Sequence, residues 1–132
     1  MGRQIVYGTV FVLGVLSFWT APVFSNAHVA HAAGTSCLPG VLRRRLAQIR
    51  AKFGRVRVIS TYRRGARIRG TGRPSLHASC RAVDFHPPRG KYRAVVRWLK
   101  ANHSGGVGTY SCRMHHIHID NGPRVRFHKC IR

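Results

Sequence analysis

The sequence predicts an α+β fold in which two helices pack on a small, largely antiparallel sheet. Three observations predict it. Apolar residues recur at helical spacing in two stretches, VLRRRLAQIRAKFG and KYRAVVRWLKAN. Short segments rich in β-branched and aromatic residues surround them: VRVISTYR, RAVDFHP, VGTYS, HHIHID and VRFHKCI. The two kinds alternate irregularly and without an internal repeat, which suits a mixed domain better than regular strand–helix–strand units.

Taken in order, Leu42, Leu46, Ile49 and Phe53 form the apolar stripe of the first helix, and Gly54 is its natural stop. Arg43, Arg44, Arg45, Arg50 and Lys52 fall mostly on its other faces. VRVISTYR reads as the first strand. RGARIRGTGRPSLHAS holds three glycines and a proline and reads as a long loop. RAVDFHP is a short strand ended by Pro87-Pro88. Tyr92, Val95, Val96 and Leu99 line the second helix, which Asn102 and Gly105-Gly106 terminate. VGTYS and HHIHID follow as two strands joined by a turn around Arg113, and VRFHKCI is a last edge strand.

The 132 residues hold 24 Lys+Arg against 2 Asp+Glu, a formal charge of +22, with an ordinary hydrophobic share of 44%. That size allows one domain and no separate cofactor module. There is no glutamate, and the only acids are Asp84 and Asp120. Chemistry that needs two cooperating carboxylates, such as ordinary glycoside hydrolysis, has this one pair to draw on. At the N-terminus, Arg3 precedes an apolar run from Ile5 to Trp19, and Ala30-His31-Ala32 offers the small-x-small pattern of a signal-peptidase site. We therefore expect residues 1–32 to be a signal peptide and 33–132 the functional domain, exported to a periplasmic or extracellular space. Cys37, Cys80, Cys112 and Cys130 all lie in the exported part, and no C-x-x-C spacing suggests a metal knuckle. Two disulfides are expected, in any of the three possible pairings.

Both acids stand next to histidines. On a strand, Ala82, Asp84 and His86 share one face while Val83 and Phe85 point to the core. On another, His116, His118 and Asp120 share a face opposite Ile117 and Ile119. His77, in the loop before Asp84, can fold back over that surface. Two imidazoles and a carboxylate, with a fourth position left to water, suit a catalytic zinc ion. The H-x-D element His118-x-Asp120 also allows a two-histidine, one-carboxylate iron site completed by His128 or an upstream residue. An oxidising compartment favours zinc.

Taken together, STYR, SLHASCRAVDF and GGVGTYSCRMHHIHIDNGP resemble the motif series of the zinc D-Ala-D-Ala carboxypeptidases and related peptidoglycan endopeptidases. That group also includes lysostaphin-type peptidases and the zinc domain of hedgehog proteins. The resemblance spans Ile59 to Pro123. It implies that His77, Asp84 and His118 bind zinc, and that Arg63 or its neighbour Arg64 pairs with a substrate carboxylate. It also implies that Ser75 shapes the loop or touches the substrate backbone. Asp120 would orient a ligand. Many members place a glutamate three residues before the last ligand as general base; here that position is His115. Others use the first histidine of an H-x-H pair, here His116, and strand alternation favours His116 over His115. The family usually has glycine where Cys80 stands, and a cysteine there would let a disulfide fix the His77 loop.

The implied activity is zinc-dependent hydrolysis of D-amino-acid peptide bonds in peptidoglycan stem peptides, by a monomer. Whether a terminal D-Ala is removed or a cross-link opened depends on the shape of the cleft. The charge adds an anionic cell-envelope surface as partner. Nucleic acid is not expected, because the basic residues are spread through every element rather than gathered in a stripe with stacking aromatics. The alternative is a non-catalytic basic protein that binds an envelope polyanion and retains a zinc site.

Overall fold

A computed structural model describes residues 34–131. The expected signal peptide at 1–32 lies outside the described residues. The chain forms α1 (Gly40–Phe53), β1 (Arg57–Ser60), a single 3-10 turn (Leu76–Ser79), β2 (Ala82–His86), α2 (Tyr92–Asn102), β3 (Val107–Cys112), β4 (Ile117–Asp120) and β5 (Arg126–Ile131). The strands make one sheet in the order β1-β2-β4-β3-β5. Its pairings are antiparallel except for the parallel pair β3–β5. This is the expected α+β fold, with β5 at an edge.

Both helices bury their apolar stripes against one face of the sheet. Leu42, Leu46 and Ile49 of α1 and Val95 and Leu99 of α2 meet Val83, Phe85, Val107, Ile117 and Ile119 in one core. Phe53 and Trp98 join the helices edge to face, their rings 5.9 Å apart. Period-2 alternation then sends the other side chains of β2 and β4 to the opposite face. The helices therefore occupy one side of the sheet and leave the other to polar residues.

On that second face the register lines up one residue from every strand. Ser60 pairs with Asp84, Asp84 with His118, His118 with Gly108, and Gly108 with Phe127. A side chain on Gly108 would collide with the Phe127 ring. The glycine lets that ring lie across the sheet and come within 5.7 Å of the His118 ring, centroid to centroid.

Two details differ from the sequence reading. The long loop ends in the 3-10 turn Leu76–Ser79, which carries His77. Segment 66–75 also folds back on itself, with Ile68 donating to the Arg73 carbonyl and Ser75 to that of Ala66. And β4 begins at Ile117, so His115 and His116 precede the strand instead of opening it.

Disulfides join Cys37 to Cys80 and Cys112 to Cys130. The first ties the segment before α1 to the residue that caps the 3-10 turn. The second links β3 to β5. Their sequence separations of 43 and 18 residues correspond to about 4 and 3 kcal/mol of restricted unfolded-chain freedom. No helix among the described residues is long and apolar enough to cross a membrane.

A non-reducing digest read by mass spectrometry should give Cys37–Cys80 and Cys112–Cys130 as the only linked peptides; any other pairing contradicts this topology. Leu46, which is 1% exposed, sits at the centre of the core. Truncating it with Leu46→Ala should cost about 2–5 kcal/mol in urea unfolding.

Candidate metal centre

His77, Asp84 and His118 are all buried, and one ligand-capable atom of each lies within 4.8 Å of the others. Three separate constraints bring them together. Asp84 and His118 are direct cross-strand partners on β2 and β4. His77 reaches them from the 3-10 turn, whose first residue is preceded by Ser75; the Ser75 hydroxyl accepts from the His77 amide at 3.3 Å. The His77 carbonyl accepts from the Arg63 amide at 3.0 Å, which fastens the turn to the strand-following segment 61–63. Cys80 caps the turn in the left-handed region, at φ 55°, and is tethered to Cys37.

The hydrogen bonds define which ring atoms are free. His77 Nδ1 lies 2.8 Å from the Thr61 carbonyl, which can only accept, so Nδ1 carries the proton. Its Nε2 lies 3.2 Å from Asp84 Oδ2, donating to it when the ring is protonated and offering a lone pair to a metal ion when that proton is gone. His118 contacts Asp84 Oδ1 through Nδ1 at 2.8 Å and Asp120 Oδ2 through Nε2 at 3.1 Å. Asp120 thereby keeps a proton on Nε2 in either charge state, so that Nδ1 donates to Asp84 in the imidazolium and is the ligand-capable atom of the neutral ring. A carboxylate behind a ligand histidine is the usual way to fix its tautomer.

Asp120 is itself held. Its Oδ1 accepts from the amides of Gly106 at 3.1 Å and Gly122 at 2.8 Å. A side chain on Gly106 would run into the carboxylate, so glycine is required at that approach. The Asp120 carbonyl accepts from Nε2 of buried His103 at 2.8 Å. Gly105-Gly106 does more than end α2: the pair forms part of the cradle for this carboxylate.

Electrostatics follow from burial. Desolvation would raise the Asp84 carboxyl, but hydrogen bonds from His118 and His77, with their charge, hold it below the usual carboxylate range. Asp120 also lies low, hydrogen bonds from His118, Gly122 and Gly106 outweighing its burial. Burial opposes the charge on His118, yet its bonds to Asp120 and Asp84 raise it above the ordinary imidazole value. His116 is pushed down, chiefly by burial and then by His86, His118 and Arg63, against the pull of Asp84.

The other expected residues are placed as follows. His116 is buried, with Nε2 3.9 Å from Asp84 Oδ1. Its ring lies against Tyr110 at 4.3 Å and edge-on to His86 at 6.5 Å. His115 is exposed, and its carbonyl accepts from His86 Nδ1 at 3.2 Å. Arg63 rests 3.4 Å from Asp84 Oδ2 with half of its side chain exposed. Arg64 is exposed and outside this cluster. Ser75 serves the turn that carries His77. His128 bonds to Thr109 and Ser111 at 3.0 Å each, apart from the centre.

Sequence reasoning gave no site role to Thr61, His103, Tyr110 or Tyr92. The Tyr92 hydroxyl on α2 donates towards the carbonyls of Tyr110 and His116, 3.4 Å from each, and so ties the helix to the backbone that presents both rings. Burial pushes the Tyr110 phenol up to about 12. Of these residues, only Thr61 and Tyr110 carried a signal, as parts of STYR and GGVGTYSC.

A metal ion fits these residues. Two imidazole nitrogens and a carboxylate oxygen are the donor types of a catalytic zinc site, and both histidines have their remote nitrogens occupied. All four cysteines are in disulfides, so no thiolate competes.

The family model Peptidase M15 matches residues 23–120, which include His77, Asp84, His116, His118 and Asp120 and end before β5. Neither a curated protein nor a solved structure matches the chain at a significant level.

The purified chain should bind one zinc ion, and His77→Ala should abolish stoichiometric binding in competition with a chromogenic chelator. Asp120→Asn should keep the ion but weaken it about 10- to 100-fold. Wild-type affinity in both variants would reject this ligand set and its support.

Proposed function

The chain belongs to the Peptidase M15 family, and from that membership we propose an exported zinc metallopeptidase acting on the D-amino-acid peptide bonds of peptidoglycan stem peptides. Membership makes it a peptidase with a peptide substrate. The observation that supports the zinc reading is the buried His77–Asp84–His118 trio, with its atoms within 4.8 Å of one another, while the substrate class rests on the family resemblance. The leader pattern around Arg3, Ile5–Trp19 and Ala30-His31-Ala32 supports export, as do the disulfides.

His77 Nε2, an Asp84 oxygen and His118 Nδ1 would hold the ion. Zinc in such a set supplies a Lewis acid for the scissile carbonyl and brings the pKa of water to about 7. Proton transfer falls to His116. It is the remaining buried imidazole beside Asp84, and Nε2 faces the centre. That nitrogen takes the proton lost by the attacking water and returns it to the leaving amine. The Tyr110 ring packs on the His116 ring, and the Tyr92 hydroxyl donates to the His116 carbonyl. His115 is exposed, which supports His116 over it.

Arg63 spans the boundary between centre and solvent. One Nη meets Asp84, and the rest of the guanidinium is free to hold a substrate carboxylate by paired hydrogen bonds. The charge of +22, with both acids buried, favours substrates and surfaces that carry free anions.

Purified muropeptides digested with the zinc-loaded chain should lose a D-amino-acid linkage, visible by mass spectrometry and blocked by a chelator. His116→Ala should retain zinc and lose about 10²- to 10⁴-fold in rate. A crippled His115→Ala beside a competent His116→Ala would overturn the assignment of the proton carrier. Metal-independent turnover would overturn the zinc reading.

A further inference from the structure

The distribution of charge leaves a second site to explain. Among the described residues Asp84 and Asp120 are the only carboxylate side chains, at 4% and 8% exposure, and both are engaged within the metal centre. Arg63 is the only arginine or lysine among them with an ion-pair partner. The remaining surface is cationic without internal compensation.

Folding concentrates part of that charge. A groove of about 880 Å³ runs between the end of α1, the start of β1 and the turn from β2 to α2. It is lined by Arg50, Arg55, Arg57 and Arg89, together with Pro87 and Pro88. A second depression of about 400 Å³ shares the wall from His86 to Arg89 and continues to Arg93. Arginines that look evenly spread in the sequence thus converge along one track. Arg50 has a local reason to be there, since the last turn of α1 welcomes a cation. That reason does not extend to Arg57 or Arg89. Like charges gathered without acids work against the compact state, so stability does not call for them.

The chemistry of the walls narrows the ligand. All the groove's fixed cations are arginines, whose planar forks pair with oxyanions through two parallel hydrogen bonds. The two depressions adjoin through His86 to Arg89, and a ligand that follows both suits a chain of anions over a single ion. No Phe, Tyr or Trp lines the larger groove, and His86 is its one ring, so it offers no run of stacking platforms for successive bases. We propose that this groove is a docking site for a linear polymer of repeating phosphodiesters that lacks nucleobases, gripped by Arg50, Arg55, Arg57 and Arg89. None of His77, Asp84 and His118 lines it, so the site stands independently of the peptidase reading. His86, at its edge, is the neighbour of His116 and brings the docked polymer to the rim of the metal centre.

The test uses the purified protein and poly(glycerol phosphate) of defined length, with binding measured at fixed salt with and without chelator. Arg50→Gln/Arg55→Gln/Arg57→Gln/Arg89→Gln is compared with a charge-matched control, Arg43→Gln/Arg44→Gln/Arg97→Gln/Arg113→Gln, drawn from exposed positions outside the groove. The groove variant should lose at least about tenfold in affinity and the control under about threefold, with chelator making no difference. Equal losses would mean that net charge alone attracts the polymer, and would overturn the site. Tighter binding of polyglutamate, or of an oligothymidylate with the same number of phosphates, would overturn the ligand class. Circular dichroism verifies that the variants fold. If the fourfold groove variant does not, Arg57→Gln/Arg89→Gln against Arg43→Gln/Arg97→Gln decides by the same inequality.

Discussion

The structure is organised around a buried carboxylate. Asp84 lies in the middle of the sheet, where an unpaired charge would cost several kcal/mol, in a chain almost devoid of other acids. Its neighbours answer that cost: His118 across the strand pair, His77 from the turn above it and Arg63 at the solvent edge. Removing the carboxylate would leave three cationic or cation-capable groups facing each other. The same convergence that neutralises Asp84 creates a three-donor pocket suited to a divalent ion.

Everything else serves to hold that convergence in register. The helices bury one face of the sheet so that β2 and β4 present Asp84 and His118 on the other. The loop carrying His77 has no core of its own, and it is secured instead by hydrogen bonds to Thr61 and Arg63 and by the Cys37–Cys80 bridge. Asp120 repeats the arrangement one step outward, held by two backbone amides and holding His118. The M15 match ends at residue 120, just where these groups end. The β5 segment beyond it adds an edge strand, the Phe127 ring and the second disulfide.

Much of this was legible in the sequence, because its signals are local. Period-2 alternation in RAVDFH and HHIHID put Asp84 and His118 on polar faces, and two helical stripes supplied the cover. The H-x6-D spacing from His77 to Asp84 became informative only through its family resemblance. What was hidden depends on distant backbone. The Thr61 carbonyl that sets the His77 tautomer and the Gly106 amide that holds Asp120 act through backbone atoms, which side-chain patterns do not reveal. Four residues of 3-10 turn leave no periodicity to detect. His116 lies before β4, where strand alternation does not reach, so its burial and the exposure of His115 come from the tertiary fold. The gathering of arginines from three segments into one groove is likewise a property of the folded chain.

We propose that His77, Asp84 and His118 hold one zinc ion in a common coordination sphere. X-ray absorption at the zinc edge of the metal-loaded protein tests it most directly. The account predicts a first shell of nitrogen and oxygen at about 2.0–2.1 Å, with multiple-scattering signatures of two imidazoles and no sulfur. A shell with one imidazole or none, or one containing sulfur, would contradict it.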